Sequence, residues 1–242
     1  MEAAWLILPG FAVAACLYAS VGHAGASGYL AVMALAGMAP AQMKPVALLL
    51  NVVVATIALI QFARASCFSW RLFWPFALGA APFAALGGAL QVPDGAYRVL
   101  VGLGLLLSAM RLAWPAAATA EPVLPNWWIA VPLGAGIGLL AGLTGTGGGI
   151  YLSPLLILCR WGAGRDTGGV AAAFILANSL AGLLGHRPDL AALPAALPWW
   201  ALTVASAGFL GAWLGSRRTT PLLFKRLLAA VLIVAAGKLI LA

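Results

Sequence analysis

The chain has 242 residues, 64% of them apolar and 7% charged, with a formal net charge of +8. A soluble domain carries roughly 25% charged residues, so a water-soluble globular fold is excluded. The positive charge does not point to nucleic acid, because the cations are scattered singly between apolar runs and form no stripe.

Charge-free runs at residues 45–63, 72–93, 122–159, 167–186 and 190–216 approach or exceed the ~20 residues that cross a bilayer. In chain order the pattern predicts ten apolar helical segments. The first covers residues 3–21 and is expected to be retained, since no positive n-region or cleavage site marks it as a signal peptide. A glycine-rich break at 22–28 follows, then a short segment at 29–38. Segments at 45–63, 72–92 and 97–114 complete the first half, with Trp70 and Trp74 suited to a membrane interface. Residues 115–126, carrying Pro115, Pro122 and Pro125, form the joint between halves. The second half runs 127–144, a glycine break, a short segment at 151–159, then 170–185, 198–215 and 222–241. The expected division is therefore a first repeat at 1–114, a connection at 115–126 and a second repeat at 127–242.

The second break carries the strongest signal. Five glycines fall within residues 142–149, and each costs a helix interior about 1 kcal/mol. No charge lies near them. In hydrocarbon, broken backbone survives only where protein or a wet cavity covers it. Half-helix N-termini offer unpaired N–H groups and a partial positive charge. Two such ends meeting near the midplane would hold a small anion without a buried lysine or arginine. Scattered glycines such as Gly134 and Gly138 read instead as close helix packing.

The halves repeat. Tyr151-Leu152 follows the second break as Tyr29-Leu30 follows the first, 122 residues apart, and Asn178 lies in an apolar segment 127 residues after Asn51. An odd number of crossings per half makes the second half an inverted copy, whether or not the short segments are re-entrant. With both termini outside, Arg64, Arg71, Arg111, Arg160, Arg165, Arg217, Arg218, Lys225 and Arg226 lie inside, against Lys44, Arg98, Arg187 and Lys238 outside. That split obeys the positive-inside bias.

The candidate substrate-binding residues follow from these patterns. The first break supplies His23, Gly25, Ser27, Gly28 and Tyr29. The second supplies Thr144, Gly145, Thr146, Gly147, Gly148, Gly149 and Tyr151, with Ser153 as a further hydroxyl. Asn51 and Asn178 are side-chain amides that apolar helices tolerate only when paired; they either face a substrate at the break or make an interhelical hydrogen bond. Tyr29 and Tyr151 either donate to substrate or pack beside the breaks. His23 is the titratable group of the first break, either an anion ligand or proton carrier or a neutral hydrogen-bonded ring. Cys16, Cys67 and Cys159 share no metal or disulfide spacing. No cofactor or metal is called for.

At these residues the chain resembles the TauE/SafE sulfite exporter family. Residues 142–149 with Pro154 are close to the family's second motif, and residues 22–30 resemble a subgroup's first motif, from which Ala24 and Ala26 depart. The resemblance implies an all-α polytopic protein of the plasma membrane (the inner membrane of a bacterium), with two inverted repeats of about five segments each. It implies a secondary transporter exporting sulfite or short organosulfonates. Partners are then a small anionic substrate and the lipid bilayer, with a homodimer left open. Rival readings are an anion channel of the same architecture and a membrane-embedded enzyme. The latter lacks a nucleophile–base pair, because the chain's two histidines, His23 and His186, have no buried carboxylate beside them.

Overall fold

The computed structural model describes residues 2–113, 123–162, 166–217 and 222–241. Among the described residues there are ten α-helices and no strand. They are α1 (Glu2–Ala19), α2 (Ala26–Leu35), α3 (Pro40–Arg64), α4 (Trp70–Ala89), α5 (Asp94–Ala113), α6 (Trp127–Thr144), α7 (Gly149–Leu158), α8 (Asp166–His186), α9 (Leu197–Gly215) and α10 (Leu222–Leu241), with a 3₁₀ turn at Leu190–Ala192. Residue 114 and most of the expected joint, residues 115–122, lie outside the described residues.

Five of these helices, α3, α4, α6, α8 and α9, are long and apolar enough to cross a membrane. Their outward surface is greasy. Leu78, Leu86, Leu202 and Leu210 are each more than half exposed, an arrangement that suits lipid and not water. By contrast α2 and α7 have ten residues each, about 15 Å at 1.5 Å per residue. That is half of the ~30 Å hydrocarbon layer.

α2 folds back along α1. A methyl added to Gly10 would meet Val32, and one added to Gly28 would meet Ala14 and Tyr18, so the two helices run antiparallel as a hairpin. The core behind it is aromatic: Phe11 packs edge-on to Tyr29 and to Trp200, at 5.3 and 5.4 Å between ring centroids.

Helix pairs approach through glycine. Along α4 and α6, a methyl on Gly134, Gly138 or Gly142 would lie 2.2 Å from the carbonyl oxygen of Phe76, Ala80 or Ala84 respectively. The rising numbers show that the two helices are parallel. α1 and α9 repeat the device, with Gly211 against Cys16 O and Gly215 against Ser20 O. Small residues let backbones touch where lipid supplies no hydrophobic force between helices, as Gly134 and Gly138 led us to expect.

The packing of one half has a counterpart in the other. α4 lies on α6 and α8 as α9 lies on α1 and α3, while α3 meets α8 and α5 meets α10 across the halves. The equivalence has a register that the tyrosines misstate. α2 begins at Ala26 and α7 at Gly149, 123 residues later and not 122. Tyr29 is thus the fourth residue of its helix and Tyr151 the third, one step of about 100° apart around the axis.

Lys44 also departs from expectation. The pattern puts it in a loop before a helix at 45, but α3 starts at Pro40, where a first-turn proline is favoured. Lys44 is buried, and its Nζ donates to Gly87 O (3.1 Å), Gly88 O (2.9 Å) and Leu90 O (3.5 Å). An ammonium there satisfies the open carbonyls at the end of α4 and opposes their negative dipole end.

Candidate functional site

The backbone of both breaks is set by glycine. Gly22 and Gly25 take φ +80° and +107°, and α2 starts directly after Gly25. Gly145, Gly147 and Gly148 take φ +81°, +71° and +83°, and α7 starts directly after Gly148. An L residue in this left-handed region costs roughly 1–2 kcal/mol. The first amides of α2 and α7 have no partner within their helices, so each short helix opens its positive end into its break.

The two breaks touch. His23 Nε2 lies 3.1 Å from Gly149 O and 3.0 Å from the Ser153 hydroxyl, while Nδ1 lies 3.3 Å from Val21 O. Its ring is buried, and Cδ2 stands 3.1 Å from where a Gly149 Cβ would be. Both ring nitrogens are engaged, and the tautomer sets which one donates. Gly22 abuts the backbone of Gly168 at the start of α8, so the first break is held on both sides by the second half.

Around the second break the polar side chains crowd in. A Cβ on Gly147 would lie 2.9 Å from Asn51 Nδ2 and 3.1 Å from Ser179 Oγ. A Cβ on Gly148 would lie 3.1 Å from Asn178 Nδ2. Asn178 Nδ2 donates to Gly147 O at 3.3 Å. Beyond that bond, Asn178 Oδ1, both amide atoms of Asn51 and Ser179 Oγ are buried with no hydrogen-bond partner in the protein. Such groups are rare in folded proteins and ask for an explanation. Here they converge on one loop. Phe174, Ile175 and Ile137 supply the apolar wall.

The threonines close the other side of the loop. The Thr144 hydroxyl donates to Leu140 O (2.7 Å) and shares a 2.9 Å hydrogen bond with Thr146. The Tyr97 hydroxyl donates to Thr144 O at 3.2 Å. Next to it lies a cavity of about 260 Å³ lined in part by Lys44, Asp94, Tyr97, Leu143 and His186. Gly145 borders the same lysine, since a Cβ there would lie 3.1 Å from Lys44 O.

The structure therefore brings together His23, Asn51, Thr144, Gly145, Thr146, Gly147, Gly148, Gly149 and Asn178. Tyr151 joins them through its hydroxyl, which reaches the Thr144 and Thr146 side chains, whereas other expected residues have partners of their own. The Tyr29 hydroxyl donates to Ala24 O (2.6 Å) and buttresses its own break, lying beside Gly25. Ser27 shares a 3.0 Å hydrogen bond with Ser108 of α5, whose hydroxyl also donates to Gly104 O. Gly28 packs on Ala14. The Tyr151 hydroxyl also borders Gly104 of α5. Ser179 was missed, although an Asn-Ser pair inside an apolar run is a visible signal.

The sequence that builds this arrangement has counterparts among known proteins. The model of the family described as sulfite exporter TauE/SafE matches residues 6–239. The chain belongs to the TauE/SafE sulfite exporter family. It is also 40% identical over 235 residues, covering 95% of each chain, to a Sinorhizobium fredii protein named "Probable membrane transporter protein y4hK". No solved structure matches the chain. Membership makes this TauE/SafE chain a multi-pass membrane transporter, a class that is not enzymatic in general.

Proposed function

We propose that the chain is a secondary transporter that exports small sulfur-containing anions, sulfite or short organosulfonates, across the plasma membrane. One observation carries this reading: buried and unpartnered polar atoms of Asn51, Asn178 and Ser179 converge on Gly147 and Gly148, where α7 opens its N-terminus. Main-chain amides and side-chain donors then bind the anion, and the glycines let the backbone approach it. His23, Thr144 and Thr146 complete the shell. Tyr151 joins the shell through these threonines, and the remaining expected residues, Gly25, Ser27, Gly28 and Tyr29, shape the ground around it.

The matched helix packing supports two inverted repeats, 1–114 and 127–242, with both termini outside. Rocking of one against the other alternates access. The α1–α2 hairpin enters and leaves on one side, which keeps the basic residues divided as the sequence divides them. Flux from proteoliposomes loaded with sulfite or a short sulfonate tests the site. Gly148→Leu and Asn178→Ala should abolish or strongly reduce it; unchanged flux in both variants refutes the reading.

A further inference from the structure

The unpartnered atoms at the second break are not all donors. Asn178 Nδ2 is bonded to Gly147 O, which fixes the orientation of that amide and leaves Oδ1 as its unpartnered atom. An amide oxygen can only accept. Asn51 lacks a partner at both Oδ1 and Nδ2, so it presents one acceptor and one donor group whichever way its amide is turned. Ser179 Oγ can do either. Asn51 and Ser179 are fully buried and Asn178 is 1% exposed, so bulk water does not reach them.

This inventory constrains the guest. An anion made only of acceptors pairs with Asn51 Nδ2, the Ser179 hydroxyl and the loop amides. It leaves the oxygens of Asn51 and Asn178 without hydrogen, and sets them against like charge. A buried acceptor left unpaired lowers affinity by about tenfold or more. A site built to bond a hydroxyl or N–H rejects the analogue that lacks it far more strongly than a greasy pocket rejects a methylene.

Resting on the transporter reading above, we propose that this site selects a small monoanion that carries its own hydrogen-bond donor: a hydroxyl-bearing sulfonate, or a singly protonated oxyanion. The anionic head takes Asn51 Nδ2, Ser179 and the amides at the start of α7. The guest's own O–H is given to Asn178 Oδ1 and Asn51 Oδ1. Acceptor-only anions of the same size and charge are poor ligands.

The test compares 2-hydroxyethanesulfonate with 1-propanesulfonate, which differ by a hydroxyl in place of a methyl. Binding to the full-length protein in detergent is measured by titration calorimetry, and each anion competes for flux in proteoliposomes. The hydroxylated anion should bind at least tenfold more tightly. Asn178→Leu and Asn51→Leu should each shrink that ratio towards one, whereas Ser179→Ala should weaken both anions and keep the ratio. If one leucine variant does not fold, the other carries the comparison. Equal binding of the two anions, tighter binding of the propanesulfonate, or a ratio that survives both leucine variants overturns this selectivity while leaving an anion site standing. Binding of neither anion overturns the selectivity and the transporter site together.

Discussion

Two glycines in α6, two residues apart, should respond to the same methyl group with opposite signs. A Cβ on Gly138 would lie 2.2 Å from Ala80 O and 2.6 Å from its Cα, about 1 Å inside a normal contact. The neighbour is backbone and cannot swing away, so α6 must back off α4 along its most closely packed seam. Overpacking of this kind costs about 1–3 kcal/mol, which outweighs the ~1 kcal/mol that alanine gains over glycine in a helix. At Gly136 nothing lies within 4 Å of the added methyl, and only the gain remains. Gly138→Ala and Gly136→Ala should therefore differ by about 1–3 kcal/mol, or roughly 2–12 °C at 2–4 °C per kcal/mol. Thermal unfolding in one detergent, followed by size-exclusion fluorescence, reads both. A Gly138→Ala protein that melts at or above the parent, or a Gly136→Ala protein that melts several degrees below it, would refute the account of the α4–α6 seam.

Lys44→Met should lower the melting temperature by several degrees, because it strips a charged donor, worth about 1.5–3 kcal/mol, from the Gly87 and Gly88 carbonyls; an unchanged melt would show that those carbonyls are satisfied otherwise. His23→Ala removes the contacts to Gly149 O and Ser153 and should reduce proteoliposome flux at least tenfold, with a stability loss of only about 1–2 kcal/mol; normal flux would separate the first break from the site. Cys159 is exposed whereas Cys67 is buried, so an impermeant maleimide should label Cys159 in inverted vesicles and not in intact cells. Labelling from outside would reverse the proposed orientation.

Much of the fold was written in the apolar pattern. The sequence placed α6 and α10 at their observed limits because a proline-rich stretch or a basic loop adjoins each. The short helices were read late, at 29 and 151 against Ala26 and Gly149. Their starts are set by where the last left-handed glycine falls, and an apolar run carries no mark of that. The tyrosine match looked like a repeat signal but missed the helix register by one residue. Asn51 and Asn178 were legible, since an amide in an apolar helix is conspicuous. Their convergence on one break was not, because a matched pair suggests one amide for each loop. Lys44 looked like a loop cation; its partners lie more than forty residues away in α4 and just beyond, beyond any local pattern.

That convergence has a consequence for how such a machine idles. Were the proposed repeats identical, a two-fold rotation would exchange the outward-open and inward-open shapes at equal energy, and an unloaded molecule would spend equal time open to either face. Here the first break carries an imidazole and two left-handed glycines, whereas the second carries three and is faced by the amides of both Asn51 and Asn178. On the rocking-carrier proposal this difference makes the two shapes unequal, and the empty protein waits towards one preferred side. On that proposal the tilt leaves the balance of flux to the driving gradients and decides which compartment meets a ready binding surface first.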